Sequence, residues 1–307
     1  MKVQYSVREG LPQDYAATIG FFDGVHRGHQ YLIGQLQALA RATSMHSLVI
    51  SFQKPPKQVV NPEAEVLLLT SNTQKCELLE TQGIDVTLLL DFTREMMCMT
   101  AWDFMQFLHD EAGVRLLLIG YDHRFGHNRS ESFDDYVRYG KEIGIQVLQA
   151  REERLTQEQG VSSSVVRQFI EEGRMMEAAQ CLGRFYGFTG KVIPGYHKGT
   201  SLGFPTANLE PDIPNRLLPP VGVYVAWATL NGHTYKAMLN IGYRPTMSYD
   251  GKISLEVHLL NFHEEIYGEE IRIEMVHRLR DEIKFHSPEE LVEQLKRDVH
   301  SVETYLK

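Results

Sequence analysis

A chain of 307 residues, 43% hydrophobic and 23% charged, is longer than one hydrophobic core usually takes, so two domains are the prior and one large barrel the alternative. The net charge of −9 argues against a sequence-independent nucleic-acid binder, whose affinity comes largely from Lys and Arg on phosphates. It leaves open a nucleotide substrate, held by backbone amides, a few cations and a metal. Three scattered cysteines, Cys76, Cys98 and Cys181, form no CxxC pair, and no apolar run near the start has signal-peptide length. Both point to a reducing, cytoplasmic home and away from secretion and membranes.

From Ala16 to Phe22, Ser47 to Phe52, Val86 to Leu90, Leu116 to Ile119 and Gln146 to Leu148 the chain reads as short strands. Between them lie helix-length stretches: His29 to Ala42, Thr73 to Gln82, Ala101 to Ala112 and Phe133 to Ile143. Such alternation predicts an α/β domain with a doubly wound parallel sheet covered on both faces. Its ligands belong at the carboxyl ends of strands, in the loops after Ile19, Phe52 and Ile119.

Ser162 to Leu182 reads as a helical pair, capped by Ser162 or Ser163 and interrupted at Gly173, which places the domain boundary at 183/184. Beyond it the period becomes two, in Val223 to Leu230, Tyr235 to Ile241, Ile253 to Leu260 and Ile271 to His277. These strands predict a small antiparallel β-barrel over 184–307. A C-terminal helix from Pro288 to Leu306, with Leu291, Leu295, Val299, Val302 and Leu306 on one stripe, is expected to close it.

Two stretches carry chemistry. Thr18 to Gln30 follows a strand and opens a helix, and it holds Gly20, Phe21, Asp23, Gly24 and Gly28 with His26 and His29 in an HxGH arrangement. Glycines allow close approach of backbone to a ligand, the helix start offers amides to phosphate, and the two histidines can donate hydrogen bonds to a pentavalent phosphoryl group. Farther on, Gly190 to Leu209 contains glycines at 195, 199 and 203 and the hexapeptide Gly203-Phe204-Pro205-Thr206-Ala207-Asn208. The glycines suit a flap over phosphates, while Thr206 and Asn208 offer uncharged oxygen ligands to a hard cation such as Mg²⁺ bridging ATP phosphates. Alternation through Ser254 to Phe262 puts Leu255, Val257 and Leu259 on one face and Glu256 with His258 on the other.

The HxGH segment resembles the nucleotidyltransferase superfamily, and Val161 to Arg167 resembles that superfamily's distal ATP-binding element. Gly120 to Gly126 is similar to a GxDFxFG element, and Gly190 to Leu209 resembles riboflavin kinases nearly end to end. Together they resemble the bacterial bifunctional riboflavin kinase and FMN adenylyltransferase (FAD synthetase) family across almost the whole chain. The resemblance implies Glu256 as base for the kinase, and His26 and His29 as catalytic residues for adenylyl transfer. It implies ATP contacts at Gly20, Phe21, Asp23, Gly24, Ser162, Ser163, Ser164, Arg167, Gly199 and Thr206, and flavin contacts at Gly120, Asp122, Phe125 and Arg280. Thr206 and Asn208 would hold Mg²⁺, and ATP, riboflavin and FMN would be the substrates, with flavoproteins as clients of the product.

The chain departs from the family at Gln53-Lys54-Pro55-Pro56, where an Asp-Pro-His-Pro loop is expected, and Lys54 is a candidate to supply the missing charge. In the flap the usual Arg is Thr200, leaving Lys198 or Lys191 as the nearby cation. The altered loop motivates an alternative: a riboflavin kinase whose N-terminal nucleotide-binding module is impaired in adenylyl transfer.

Overall fold

Strands β2 (Tyr15–Ile19) and β4 (Val86–Leu90) are buried at every position, and β3 (His46–Phe52) and β5 (Val114–Ile119) at all but one. Burial on both faces is what a parallel sheet between two helical layers imposes. The computed structural model describes residues 1–6, 14–61, 63, 65–120, 124–127, 130–151, 160–195, 202–243 and 253–307. They fall into two compact units, Met1–Ser163 and Ser164–Lys307.

In the first unit the sheet order is β1-β4-β3-β2-β5-β6, all parallel, with β1 (Lys2–Gln4) and β6 (Gln146–Gln149) at the edges. Helices α1 (Arg27–Ala42) and α3 (Asn72–Thr81) bury Ile33, Leu36 and Leu79 against one face. Helices α5 (Ala101–Asp110) and α6 (Phe133–Ile143) bury Phe104, Leu108 and Tyr136 against the other. The sheet is therefore doubly wound, and strand order reverses between β2 and β5. Two five-residue helices, α2 (Pro56–Val60) and α4 (Arg94–Cys98), bury no residue of their own and lie in loops at the carboxyl edge. The strand expected to run to Phe22 ends at Ile19, because Phe22 (φ 54°), Gly24 (φ 80°) and Val25 (φ 40°) turn left-handed.

Helices α7 (Ser163–Glu171) and α8 (Met175–Leu182) lead into a closed barrel ordered β10-β11-β8-β7-β12-β9. Its strands are β7 (Tyr186–Ile193), β8 (Ala207–Pro211), β9 (Gly222–Leu230), β10 (His233–Tyr243), β11 (Ile253–Leu259) and β12 (Glu270–Arg280). Strands β7 and β8 go beyond the four expected. Gly187 breaks the alternation of β7 because a Cβ there would overlap the Ile273 carbonyl, and β8 begins inside the Pro-Thr-Ala-Asn motif. Leu239, Ile241, Leu255, Val257 and Ile273 fill the interior. The last helix, α9 (Pro288–Tyr305), does not close the barrel, which closes on itself. It packs on the outer wall, where Val302 and Leu306 meet Val223, Val225 and Met238. Helix α8 packs on β7 and β12, so the helical pair falls in the barrel's unit.

Candidate active sites

The loop leaving β2 uses most of its own polar groups to hold itself. The Gly20 N–H donates to the Ile50 carbonyl at 3.1 Å and the Gly24 N–H to Thr70 Oγ1 at 3.1 Å. The Asp23 carboxylate, 3% exposed, accepts from the Leu69 and Thr70 amides and the Thr70 hydroxyl at 3.0–3.1 Å. Three residues expected to contact ATP thus fasten the loop to its neighbours, two of them to residues 69–70. The Phe21 carbonyl is also taken, by Ser51 Oγ at 3.0 Å and Lys75 Nζ at 3.3 Å. This network stabilises a conformation in which Phe22 and Val25, both buried, carry positive φ, each at a cost of order 1–3 kcal/mol.

His26 is the N-cap of α1, and its Nδ1 accepts from the His29 N–H at 3.3 Å. An accepting Nδ1 fixes the neutral tautomer with its proton on Nε2. The two imidazoles stack with centroids 3.6 Å apart. Burial first, then His26, then the Lys75 ammonium hold the His29 pKa well below its ordinary 6.5. The N–H groups of Arg27 and Gly28, in the first turn of α1, make no hydrogen bond among the described residues. Gly28 suits a close approach, since a Cβ there would lie 3.0 Å from the Val161 carbonyl. The serine segment meets the loop here: Ser163 Oγ donates to the Asp23 carbonyl at 3.1 Å, with Ser162 just before the helix. Ser164 and Arg167 lie on α7 in the second unit, Arg167 one turn beyond Ser163.

Lys75, on α3, is 2% exposed, with Nζ 2.9 Å from the Phe52 carbonyl and 4.5 Å from the Phe21 ring centroid. Sequence reasoning misses it, because a helical lysine ordinarily reads as surface. Its spacing of four from the buried Leu79 places it on the apolar face, which is the available signal.

Beside this loop a cavity of about 440 Å³ opens at the carboxyl ends of the strands. Ile19, Phe52, Phe92, Phe104, Phe125 and three methionines form its apolar wall, and Lys57, Arg124 and His127 are its cationic or titratable lining, with no carboxylate among the lining residues. Phe125 stacks on Tyr136 at 4.4 Å, and its N–H donates to the Tyr136 hydroxyl at 3.0 Å. Gly120 follows β5 at the same edge. Lys57, rather than Lys54, lines this cavity: Pro56 starts α2 and presents Lys57 inward from its first turn. Asp122 and the flap glycine Gly199 lie outside the described residues, as do His123, Lys198 and Thr200.

In the barrel, register assembles the second site. Asn208 of β8 pairs with Glu256 of β11, Glu256 with Asn240 of β10, Asn240 with Val223 of β9, and Val223 with Arg280 of β12. Directly opposed residues share a face, so these five form one row on the outer wall. A cavity of about 270 Å³ is lined by Glu256, Asn240, Arg280 and Thr206 together with Leu291 and Leu295 of α9. Thr206 Oγ1 lies 3.4 Å from Glu256 Oε2. Thr206 also lines a second, more polar cavity of about 260 Å³, walled by His263, Glu264, Glu265 and Tyr267. Gly195 is dictated by Asn208, whose amide occupies the place of any Cβ there. His258 Nδ1 pairs with the Pro205 carbonyl at 2.8 Å and its ring meets Phe204 edge-on, pinning the motif to β11. Burial lowers the His258 pKa.

Arg280 lines the cavity, but its fork is engaged elsewhere. Nε and the second Nη donate to Asp298 of α9 at 2.7–3.1 Å, and Asp298 is 4% exposed. Asp298 does not stand out in the sequence, although it sits three residues after Leu295 and four before Val302, on the apolar stripe where only a paired charge is tolerated. Among the described residues no group of three or more His, Cys, Asp or Glu converges as a metal site. A metal held by Thr206, Asn208 and phosphate oxygens would form no such group.

Comparison with known proteins decides what these two sites belong to. A riboflavin kinase family model matches residues 182–306 and an FAD synthetase family model residues 9–165. Bifunctional riboflavin kinase/FMN adenylyltransferases match over 92% of the chain: that of Listeria monocytogenes at 33% identity and 89% of its own length, that of Pseudomonas fluorescens at 34% and 90%. The chain belongs to the bifunctional riboflavin kinase/FMN adenylyltransferase family. With both enzymatic halves matched, the kinase-only alternative gives way to a bifunctional riboflavin kinase/FMN adenylyltransferase. A crystal structure from Streptococcus pneumoniae, described as a macrolide-efflux protein, superimposes with TM-score 0.90 at 28% identity over 98% of each chain. In the described residues no helix is long and apolar enough to cross a membrane.

Proposed function

We propose that the barrel unit converts riboflavin and ATP to FMN and ADP through Glu256, and that the sheet unit converts FMN and a second ATP to FAD and pyrophosphate around His26 and His29. The observation that carries the reading is the strand row, which sets Glu256 in a cavity beside Thr206 and Asn208. The apolar side of that row, under α9, suits an isoalloxazine ring, and the polar cavity beyond Thr206 suits a nucleotide. Glu256 accepts the proton of the ribityl 5′-hydroxyl as its oxygen bonds to the γ-phosphorus and the bond to the ADP oxygen breaks. Thr206 and Asn208 fit a hard divalent cation, with Gly195 leaving room for the amide; Mg²⁺ bound there would neutralise charge on the phosphates. Gly199 is a further ATP contact that the family resemblance implies. Arg280 acts on the flavin through α9, as a positioning residue.

Adenylyl transfer needs no base: a phosphate oxygen of FMN attacks the α-phosphorus and pyrophosphate leaves. Its requirement is donors to the phosphoryl oxygens, for which the Nε2–H of His26, His29 and the first-turn amides of α1 are suited. Ser162, Ser163, Ser164 and Arg167 take the triphosphate, while Gly20, Phe21, Asp23 and Gly24 shape the loop that receives it. The apolar cavity at Phe125 takes the flavin ring, with Gly120 and Asp122 as the further flavin contacts that the family resemblance implies, and its cationic Lys57 and Arg124 favour the phosphorylated form. The free thiols of Cys76, Cys98 and Cys181 suit a cytoplasmic enzyme whose FAD passes to flavoproteins. For the two enzymatic domains, as distinct from the compact units in which α7 and α8 pack with the barrel, we place the boundary at 183/184, where Gly183 (φ 73°) ends α8 ahead of β7.

Incubating the protein with ATP, Mg²⁺ and either riboflavin or FMN, and resolving the flavins by chromatography, tests both halves. FMN from riboflavin and FAD from FMN are expected. FMN without FAD would sink the adenylyl-transfer assignment, and no product from riboflavin the kinase assignment.

A further inference from the structure

Among the buried titratable groups that the reaction scheme leaves unused, Lys75 lies against the first site. Lys75 reaches from α3 to the two carbonyls at which the loops of the first site depart, Phe21 after β2 and Phe52 after β3. We propose that Lys75 is a positioning residue for adenylyl transfer, its ammonium tying those two strand ends together and setting a fixed positive charge behind the loop that receives the triphosphate. This rests on the reading of His26 and His29 as the adenylyl-transfer centre.

Three observations carry the assignment. The ammonium spans both departing loops with one group, donating at 2.9 Å to Phe52 and 3.3 Å to Phe21, so the two walls of the site move together. Its site is desolvated, at 2% exposure, where a charge acts over distance with little screening. And it faces charge and titratable groups of the site itself. From the β2–α1 loop comes Asp23 and from the first turn of α1 His29, on which His26 stacks. Its own helix contributes Cys76, next to Glu77, and the β3 end offers the Phe52 carbonyl. Lys75 helps to keep His29 neutral, so His29 meets the phosphoryl group as a single-proton donor. A lysine that only fills space would be replaced without loss by an apolar side chain of the same length; one that ties the two loops through its ammonium would not, and the pH profile separates its charge from its hydrogen bonds.

Burial brings the Lys75 pKa down to about 8, against the opposing pull of Asp23, so the charge is lost within an accessible pH range. The test measures kcat for FAD formation from FMN and ATP between pH 6.5 and 9.5 in the full chain, Lys75→Met and Lys75→Arg, with riboflavin phosphorylation assayed on the same samples. The wild-type rate of FAD formation should fall with a midpoint near 8 while FMN formation shows no decline at that midpoint. Lys75→Met should lose at least about tenfold in kcat at pH 7. Lys75→Arg, whose charge persists across the range, should keep most of the rate and lose the decline. Wild-type kcat in Lys75→Met overturns the proposal, as does a decline surviving in Lys75→Arg or an arginine variant as slow as the methionine one. FAD formation by the wild type alongside any of these leaves the assignment of the site standing; its absence in the wild type removes both.

Discussion

On the proposed assignment the two sites solve the same problem, holding ATP beside a flavin, with opposite parts of the polypeptide. In the sheet unit the work falls to backbone: a loop with three left-handed residues is fixed by Asp23, Thr70, Ser51 and Lys75, and even His26 serves the helix start as its cap. In the barrel unit the backbone is regular and the site is a row of side chains, Asn208, Glu256 and Asn240, delivered by strand pairing. Adenylyl transfer moves no proton and needs donors in fixed places. Phosphorylation of a hydroxyl needs a base, which only a side chain provides.

The largest effects should separate the halves completely. Glu256→Gln is expected to lower kcat for FMN formation by about 10²–10⁴ and leave FAD formation from supplied FMN unchanged. His29→Ala should do the reverse, with a loss of about 10²–10³. Measured on the same two substrates, loss of both activities in either variant would contradict two independent sites. Next in size, Asp298→Ala strands the Arg280 guanidinium under α9 and should destabilise the barrel unit by about 3–5 kcal/mol in urea unfolding, raising KM for riboflavin while the sheet unit's transition stays in place. The smallest effect is of pH. His29 binds its proton less readily folded than unfolded, so below about 6.5 the unfolded chain takes up a proton that the folded chain refuses, and stability falls as pH falls. The sheet unit should lose up to about 1.4 kcal/mol per pH unit there, and His29→Asn should flatten that slope in pH-dependent melts.

Architecture was readable because period and length differ so clearly between the halves. The doubly wound sheet, the barrel and the stripe of α9 all follow from alternation alone. Strands β7 and β8 escaped because Gly187, Gly190 and Pro211 interrupt period two, each at a contact formed only in the closed barrel. In the sites, the residues that stand out in sequence and those that hold them in place are different sets. Glu256, Thr206 and His26 were visible through motif and alternation. Lys75 and Asp298 were not, since a charge on a helix becomes informative only when its neighbours at three and four residues are known to be buried. Asp23 shows the converse: a carboxylate in a phosphate-type loop reads as a ligand contact, yet its oxygens are taken up by residues 46 and 47 positions away.

Closure of the barrel has a consequence for how this enzyme can change by insertion or deletion. Strand β11 has a neighbour on each side, β8 and β10, and no free edge along which to slide. One residue added between Ile253 and Glu256 would exchange the two faces of the strand, sending the carboxylate into the hydrocarbon interior and a leucine into the substrate cavity. Two added residues would restore the faces but carry Glu256 about 6.6–6.8 Å along its strand, out of step with Asn208. Neither reading frame of the pleat returns the carboxylate to its partners, so this segment is locked in length as firmly as in sequence.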